Sequence, residues 1–165
     1  MPIVTPSELN TICTDILNLA YPYNFETYAF FFTAINSGLR AREIVQLTER
    51  ITSIGSGNVL VETEKTGAIR TIPDTLISKL FLDRYAANKP ALMLNSYLSL
   101  NHFVKRAGYA GITVNGSKKE TMHLFRHNKA KQLQIAGQTT AQIAAFYEVT
   151  EPIALIYIKS VINRP

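Results

Sequence analysis

The segment His123-Leu124-Phe125-Arg126-His127 carries two side chains suited to binding one phosphate group. On a helix, residues three apart share a face, so His123 and Arg126 would point in one direction and the two apolar residues between them into the core. Arginine offers a planar set of donors to two phosphate oxygens, and histidine can transfer a proton near neutral pH. Taken alone, such a segment is more typical of an ordinary solvated helix face.

A second basic segment, Ser37-Gly38-Leu39-Arg40-Ala41-Arg42-Glu43-Ile44, has a glycine just before its first arginine. Gly38 permits a sharp turn between two helices, so Arg40 would stand at the start of the next helix, where free backbone N–H groups favour an anion. Glu43 follows one turn later and could neutralise Arg40 or Arg42. The alternative is an arginine–glutamate pair at the surface, which contributes little to stability.

Two short β-strands are predicted on either side of the turn-forming sequence Lys65-Thr66-Gly67, over residues 59–63 and 69–72. A lysine at the tip of a mobile hairpin can enter a neighbouring site as a positive charge or a proton donor. At most turns a lysine is simply solvated, so the hairpin does not indicate a function by itself.

Tyr157 lies in the apolar segment Ile153-Ala154-Leu155-Ile156-Tyr157-Ile158, within the last predicted helix. A tyrosine in such a setting more often packs in a core or an interface. The ordinary pKa of a phenol is about 10, and a phenol becomes a useful nucleophile only beside a base or a cluster of cations.

The rest of the chain predicts a mainly α-helical protein with one small antiparallel β-sheet, an α+β fold. Residues 53–58 are predicted as a turn-rich connection, and Pro73 as the start of a helix. Further helices are predicted to begin at Thr5-Pro6, at Asn24, at Arg40 (to Leu47), at Asn95 or Ser96, at His123, at Thr139 or Thr140, and at Glu151-Pro152, the last running to about Val161.

The composition narrows the class of protein. The 165 residues suit one domain, and 47% hydrophobic residues can build a core. A net charge of +5 favours an anionic partner such as nucleic acid, while a charged fraction of only 18% excludes a disordered basic tail. The single cysteine, Cys13, excludes a disulfide within the chain. With neither a signal peptide nor a membrane-spanning stretch, the sequence predicts a soluble cytoplasmic protein.

Together, the order and spacing of these segments resemble the tyrosine recombinase family, which includes the phage integrases. The family's first box, Gly-Leu-Arg-x-x-Glu-Leu, is similar to Gly38-Leu39-Arg40 with Glu43-Ile44. Its hairpin, Lys-Thr-Gly-x-x-Arg-x-x-Pro, is similar to Lys65-Thr66-Gly67 with Arg70 and Pro73. Its second box, His-x-x-Arg-His, is matched by His123, Arg126 and His127, and Gly137 and Tyr157 follow in the expected order. The resemblance covers nearly all of the chain after the first two predicted helices.

The resemblance implies a catalytic-domain-like fold and a site-specific recombinase or integrase, as in mobile elements, that acts on double-stranded DNA and needs no metal or other cofactor. Tyr157 would attack a DNA phosphate and form a 3′-phosphotyrosyl bond. Arg40 and Arg126 would hold the phosphate oxygens, Lys65 would protonate the leaving 5′ oxygen, and His123 would accept the proton of the tyrosine.

One position departs from the family pattern. A histidine or tryptophan usually precedes the nucleophile by about nine residues, whereas Glu148 occupies that place here. An ionised carboxylate would repel a phosphate unless a nearby cation neutralises it. His127 or His102 could supply the missing donor. Further phosphate contacts are expected from basic residues outside the catalytic set, namely Arg42, Arg70, Lys118, Lys119 and Lys129.

The resemblance also bears on domains and partners. Residues 1–165 are expected to form a single catalytic domain without the N-terminal domain that clamps DNA in the family. The apolar last helix is expected to pack on a neighbouring copy, which implies a homo-oligomer, a tetramer, on DNA. Three alternatives remain open from the sequence: a DNA-binding relative without catalysis, a DNA relaxer similar to type IB topoisomerases, and a helical interaction domain with accidental matches.

Overall fold

The computed structural model describes residues 3–93, 97–109, 111–117 and 123–165, which form helices and two small antiparallel sheets. The predicted class, mainly helix with a small antiparallel sheet, is confirmed. The helices are α1 (Pro6–Ala20), α2 (Phe25–Ser37), α3 (Ala41–Val45), α4 (Leu47–Arg50), α5 (Lys79–Ala86), α6 (Tyr97–Val104), α7 (Leu124–Ile135), α8 (Thr140–Tyr147) and α9 (Glu151–Lys159). The strands are β1 (Ile51–Gly55), β2 (Asn58–Glu62), β3 (Ile69–Pro73), β4 (Thr113–Val114) and β5 (Ile162–Asn163).

The first two helices begin where local capping residues predict them. The Thr5 hydroxyl accepts a hydrogen bond from Glu8 N at 3.2 Å, and the Asn24 side chain accepts one from Thr27 N at 2.7 Å. Gly38 ends α2 with φ +67°, and a Cβ placed there would come within 2.5 Å of the Tyr147 ring. A glycine is therefore required both by the backbone conformation and by the close approach of α8.

The main sheet has three strands in the order β1-β2-β3, so the predicted hairpin is present and one strand was missed. Residues 53–58 were predicted as a turn-rich connection, and this was wrong for the part in β1. Ser56 and Gly57 alone form the turn, both with positive φ, which is the two-residue geometry that suits a twisted hairpin. Ile54 pairs with Val59 across that turn, so the extended conformation comes from the neighbouring strand.

Three helix boundaries also differ from the prediction. After Pro73 there is only a short 3₁₀ turn, and α5 starts at Lys79, where the Ser78 side chain accepts from Leu80 N. The helix predicted from Arg40 to Leu47 is divided at Gln46, whose φ of −111° is not helical. The last helix ends at Lys159, and β5 then pairs with β4. The predicted start at Asn95 or Ser96 lies outside the described residues.

Helix α7 contributes to both hydrophobic clusters of the protein. Phe125 packs into the large cluster, which includes residues of α1 and α2. Ala130 packs into a smaller cluster with residues of α8 and α9, which includes Tyr147 and Tyr157. Neighbouring turns of one helix therefore connect the main core to the segment that carries Tyr157. Within the described parts of the chain, no helix is long and apolar enough to cross a membrane.

Candidate active site

Arg40 stands at the N-cap of α3, immediately after the turn at Gly38. Its side chain is 12% exposed and lines a cleft of about 400 Å³ together with Arg42, Lys65 and His123. The guanidinium Nη1 lies 3.4 Å from the Glu43 carboxylate, and Nη2 lies 3.5 Å from the Tyr157 hydroxyl. The first predicted arginine and the predicted nucleophile are therefore in contact, although 117 positions separate them in the chain.

Glu43 connects the two segments that carry Arg40 and Lys65. Its buried carboxylate accepts from Arg40 N at 2.7 Å and from Glu64 N, the residue before Lys65, at 2.9 Å. Burial alone would raise the pKa of Glu43, but these two backbone bonds and the charges of Arg126 and Arg40 lower it below its usual range. The carboxylate is consequently ionised and fixes the base of the hairpin loop beside the cleft.

Lys65 lies in the loop that joins β2 and β3. This loop is closed by Thr63 N donating to Ala68 O at 2.9 Å and Gly67 N donating to Thr63 O at 3.1 Å. Gly67 adopts φ +69°, as the tight turn requires. The Lys65 side chain is exposed and lines both the first cleft and an adjoining one of about 300 Å³. Lys65 is therefore anchored at its backbone, while its side chain faces solvent in the cleft.

Arg126 lies in the first turn of α7 and is buried. Its Nη1 donates to the Gly38 carbonyl at 2.6 Å, which ties α7 to the turn before Arg40. Its Nε and Nη2 have no hydrogen-bond partner among the residues that the structure describes. Two buried donors on a charged group are costly to leave unpaired, and unpaired donors of this kind suit an anionic ligand.

Tyr157 lies in the last turn of α9 and is only 8% exposed. The Arg126 guanidinium carbon stands 4.8 Å from its ring centroid, and Arg40 reaches its hydroxyl. The rings of His127 and Tyr147 pack edge-on against it at 5.2 Å and 5.4 Å. The phenol is thus held between two arginines, the kind of setting in which its nucleophilic use becomes feasible.

The histidines occupy different places. His123 is the N-cap residue of α7 rather than part of its first turn, and it lines the cleft beside Arg40. His127 is buried, with Nδ1 2.8 Å from the Ser160 hydroxyl. Burial, together with the nearby His123 and Lys131, lowers the pKa of His127 to about 4, so the ring is neutral. His102 is exposed on α6. Neither His127 nor His102 lines the cleft.

Glu148 forms the C-cap of α8 in the left-handed region, with φ +54°. Its side chain is exposed and lines the adjoining cleft with Arg40 and Lys65. The residue that departs from the family pattern is therefore located beside two cations of the candidate site.

The other predicted phosphate contacts are in unlike environments. Arg42 has a side chain that is 74% exposed and pairs with Glu64 at 3.5 Å. Lys129 is half-buried, with Nζ 5.7 Å from the Phe146 ring centroid. Arg70 is 1% exposed, and its guanidinium donates to Ser37 O at 2.8 Å and Phe146 O at 2.9 Å. Its third guanidinium nitrogen, Nη1, is buried and has no hydrogen-bond partner among the described residues, so a phosphate would have to reach Arg70 through the surrounding packing. Lys118 and Lys119 lie outside the described residues.

Several side chains support the site in ways that the sequence did not indicate. Tyr147 lies between the guanidinium groups of Arg70 and Arg126, at 5.2 Å and 4.5 Å from its ring centroid. Its hydroxyl donates to Arg126 O at 2.8 Å, and burial raises its pKa, so it stays protonated. Ser160 and Lys131 bind the end of α9. No local pattern indicated these roles, since each depends on partners distant in the chain.

Within the described ranges, no group of three or more histidine, cysteine, aspartate or glutamate side chains could hold a metal ion. The charged residues that line the cleft are Arg40, Arg42 and Lys65 together with Glu64, so its charge is net positive and suits an anionic ligand.

A structural comparison matches the chain to a solved structure described as a lambda integrase(75-356) dimer bound to a COC′ core site. The TM-score is 0.61 with 19% sequence identity, over 91% of this chain and 58% of that one. The chain thus spans less than two thirds of the neighbour's length. No family model and no curated protein sequence matches it. At this identity, the similarity establishes an integrase-like fold, and the predicted fold is confirmed.

Proposed function

We propose that this protein cleaves and rejoins double-stranded DNA through a covalent 3′-phosphotyrosyl intermediate at Tyr157. The observation that carries the proposal is the contact of the Tyr157 hydroxyl with Arg40, beside an Arg126 guanidinium that has two unpaired donors among the described residues. An accidental set of matches would not bring these three side chains together. The fold shared with the lambda integrase fragment supports the same function by analogy.

The proposed reaction begins with attack of Tyr157 Oη on the phosphorus of a DNA phosphodiester. The bond from phosphorus to the 5′ oxygen breaks as the bond to the tyrosine forms, so the number of phosphate ester bonds is unchanged. His123 accepts the phenol proton, and Lys65 supplies a proton to the leaving 5′ oxygen. Arg40 and Arg126 stabilise the charge that develops on the non-bridging oxygens. A 5′-hydroxyl of another strand then reverses the step.

The proposal also covers the way in which the DNA is held. Arg42 is exposed at the cleft and suits a phosphate contact, the half-buried Lys129 would supply another, and the buried Arg70 suits a structural role. Apolar side chains on α9, including Ile153 and Ile156, are exposed and could pack on a second copy. The structural neighbour is a dimer bound to a core site, which supports oligomerisation, here a tetramer on DNA.

The test is a suicide substrate, a nicked duplex that loses the leaving strand after cleavage and so traps the covalent complex. Wild-type protein is expected to give a slowly migrating protein–DNA band on a denaturing gel. Tyr157→Phe should give none, because the nucleophilic oxygen is absent. Tyr28→Phe, a change in a half-buried tyrosine of the main core, is the matched control and should form the band. An adduct that survives Tyr157→Phe would place the nucleophile elsewhere.

A second candidate function is DNA binding without cleavage, which the carboxylate of Glu148 beside Arg40 and Lys65 favours. This candidate predicts salt-dependent DNA binding by wild type with no covalent band. Relaxation of supercoiled DNA without exchanged products would instead indicate a topoisomerase-like activity.

A further inference from the structure

The end of α9 that carries Tyr157 lacks an ordinary helix cap. Its C-cap residue, Ser160, is extended, with φ −58° and ψ 143°. The last carbonyls of a helix have no partner within the helix and must find one elsewhere. Here side chains supply the partners: the Ser160 hydroxyl donates to Tyr157 O at 2.9 Å, and Lys131 Nζ donates to Ile158 O and Ser160 O, both at 2.8 Å.

Lys131 is an unusual residue for this task, because it is 6% exposed and lies within α7. A lysine ammonium is seldom buried unless its donors are used, and here two of them bind carbonyls of one helix end. A positive charge at that end is also favourable to the helix dipole. The burial of Lys131 is therefore explained by its hold on the turn of α9 that contains the nucleophile.

The same face of α7 supplies a second connection. His127 and Lys131 are four residues apart and so project from one side of the helix. His127 Nδ1 lies 2.8 Å from the Ser160 hydroxyl, which is also within hydrogen-bond distance of Tyr157 O at 2.9 Å. Arg126, the adjoining residue, carries the unpaired donors. One rigid helix thus fixes both the phosphate-binding arginine and the tyrosine.

We propose that Lys131 is a positioning residue, whose ammonium group holds the last turn of α9 against α7 and so keeps the Tyr157 hydroxyl at Arg40 and the Tyr157 ring beside Arg126. This inference rests on the proposed function for its catalytic consequence. Its structural consequence, the placement of the Tyr157 ring, is independent of whether the protein cleaves DNA.

The first experiment compares Lys131→Met, which keeps the length of the side chain and removes its donors, with Lys131→Arg, which keeps charge and donors. Lys159→Met, a change in an exposed lysine in the last turn of the same helix, is the matched control. Lys131→Met should lower the single-turnover rate of adduct formation by roughly 10- to 100-fold, as expected for a nucleophile misplaced by about 1 Å. DNA affinity should be unchanged. Lys131→Arg should restore most of the rate, and Lys159→Met should behave as wild type.

A modified substrate distinguishes positioning from proton transfer. In a 5′-bridging phosphorothioate the leaving group is a thiolate, which needs no proton from Lys65. The cleavage rate of Lys65→Met should therefore recover on this substrate. Lys131→Met should still cleave slowly, because its nucleophile remains misplaced. Recovery of Lys131→Met, or equal losses of DNA affinity and cleavage rate, would overturn the proposal.

A readout without cleavage separates this inference from the proposed function. In protein labelled with ¹³C at the tyrosine ring, the Tyr157 resonance is identified by its loss in Tyr157→Phe. Lys131→Met should shift this resonance, and Lys159→Met should not. An unmoved resonance refutes the positioning role even if the protein is active, whereas a shift in a protein that forms no adduct refutes only the proposed function. If Lys131→Met fails to fold, Lys131→Gln, a shorter neutral donor, is measured instead and should give a smaller shift in the same direction.

Discussion

Glu148 puts a carboxylate into a cleft whose other charged lining residues are Arg40 and Lys65, at the point where α8 ends. For a site that binds phosphate, this negative charge weakens the attraction that the two cations provide. The effect of Glu148 is therefore on the strength of the site rather than on its geometry.

Replacing Glu148 should raise the activity of the site, whereas most changes in an active site lower it. Glu148→His should increase the rate of adduct formation at neutral pH, by about tenfold, because a repelling charge becomes a hydrogen-bond donor. Histidine tolerates positive φ better than most residues, so the fold should be retained. Glu148→Gln, which only removes the charge, should give a smaller increase. A rate that falls in both variants would show that the carboxylate takes part in the reaction.

At the scale of the elements, Arg70 joins three of them. It lies on β3 and donates to the last residue of α2 and to Phe146 of α8. Burial and the neighbouring Arg126 lower its pKa to about 10, which still leaves it charged at neutral pH. The strand that follows the Lys65 loop is thereby fixed to the turn that precedes Arg40.

Arg70→Met should lower the free energy of unfolding by about 2–4 kcal/mol, because two buried carbonyls lose their partners.

Arg42→Met should change stability by less than about 0.5 kcal/mol, since its side chain is largely exposed. It should instead weaken DNA binding and reduce the salt dependence of that binding by about one phosphate contact. Urea unfolding measures the stability of the two variants, and DNA titrations at several salt concentrations measure their DNA binding. An Arg70 variant that keeps its stability and loses the salt dependence would make Arg70 a DNA contact after all.

At the scale of the whole molecule, the buried neutral His127 makes stability depend on pH. Its pKa lies near 4 in the fold and at the ordinary 6.5 when unfolded. Between these values the unfolded chain binds a proton that the folded protein does not, so stability falls as the pH drops from about 6.5 towards 4. Above pH 6.5 the contribution is fully present.

The expected loss is on the order of 3 kcal/mol across that range, at about 1.4 kcal/mol for each pKa unit. Urea unfolding of wild type and His127→Gln at a series of pH values isolates it, because other titrating groups are common to both. The difference in unfolding free energy between the two proteins should shrink as the pH falls. A constant difference would show that His127 titrates normally in the fold.

Much of this architecture could be predicted from the sequence because its signals are local. Thr5, Asn24 and Thr139 cap helices within three residues of their partners, and Gly38 ends α2 through its own backbone. The strand β1 was missed because its extended form depends on pairing with β2, while its own residues suit a turn. The pairing of β4 with β5 joins segments nearly fifty residues apart and has no local signal.

The candidate site, too, could be predicted from the sequence only in part. Arg40, Lys65, His123, Arg126 and Tyr157 were identified from the sequence pattern, and the structure brings them to one region. The surrounding contacts were not predictable, since burial decides them. Arg70 was expected to contact DNA, but it lies in the interior. Lys131 binds the end of α9, a helix that begins twenty residues later in the chain.

Mass spectrometry of the trapped complex shows whether Tyr157 becomes covalently bound to DNA. After wild-type protein has reacted with the suicide substrate, nuclease and protease digestion should leave one modified peptide. We expect a nucleotide attached to the peptide that contains Tyr157, through the phenol oxygen of Tyr157. A nucleotide attached to any other residue, or a complex that dissociates completely on denaturation, would contradict it.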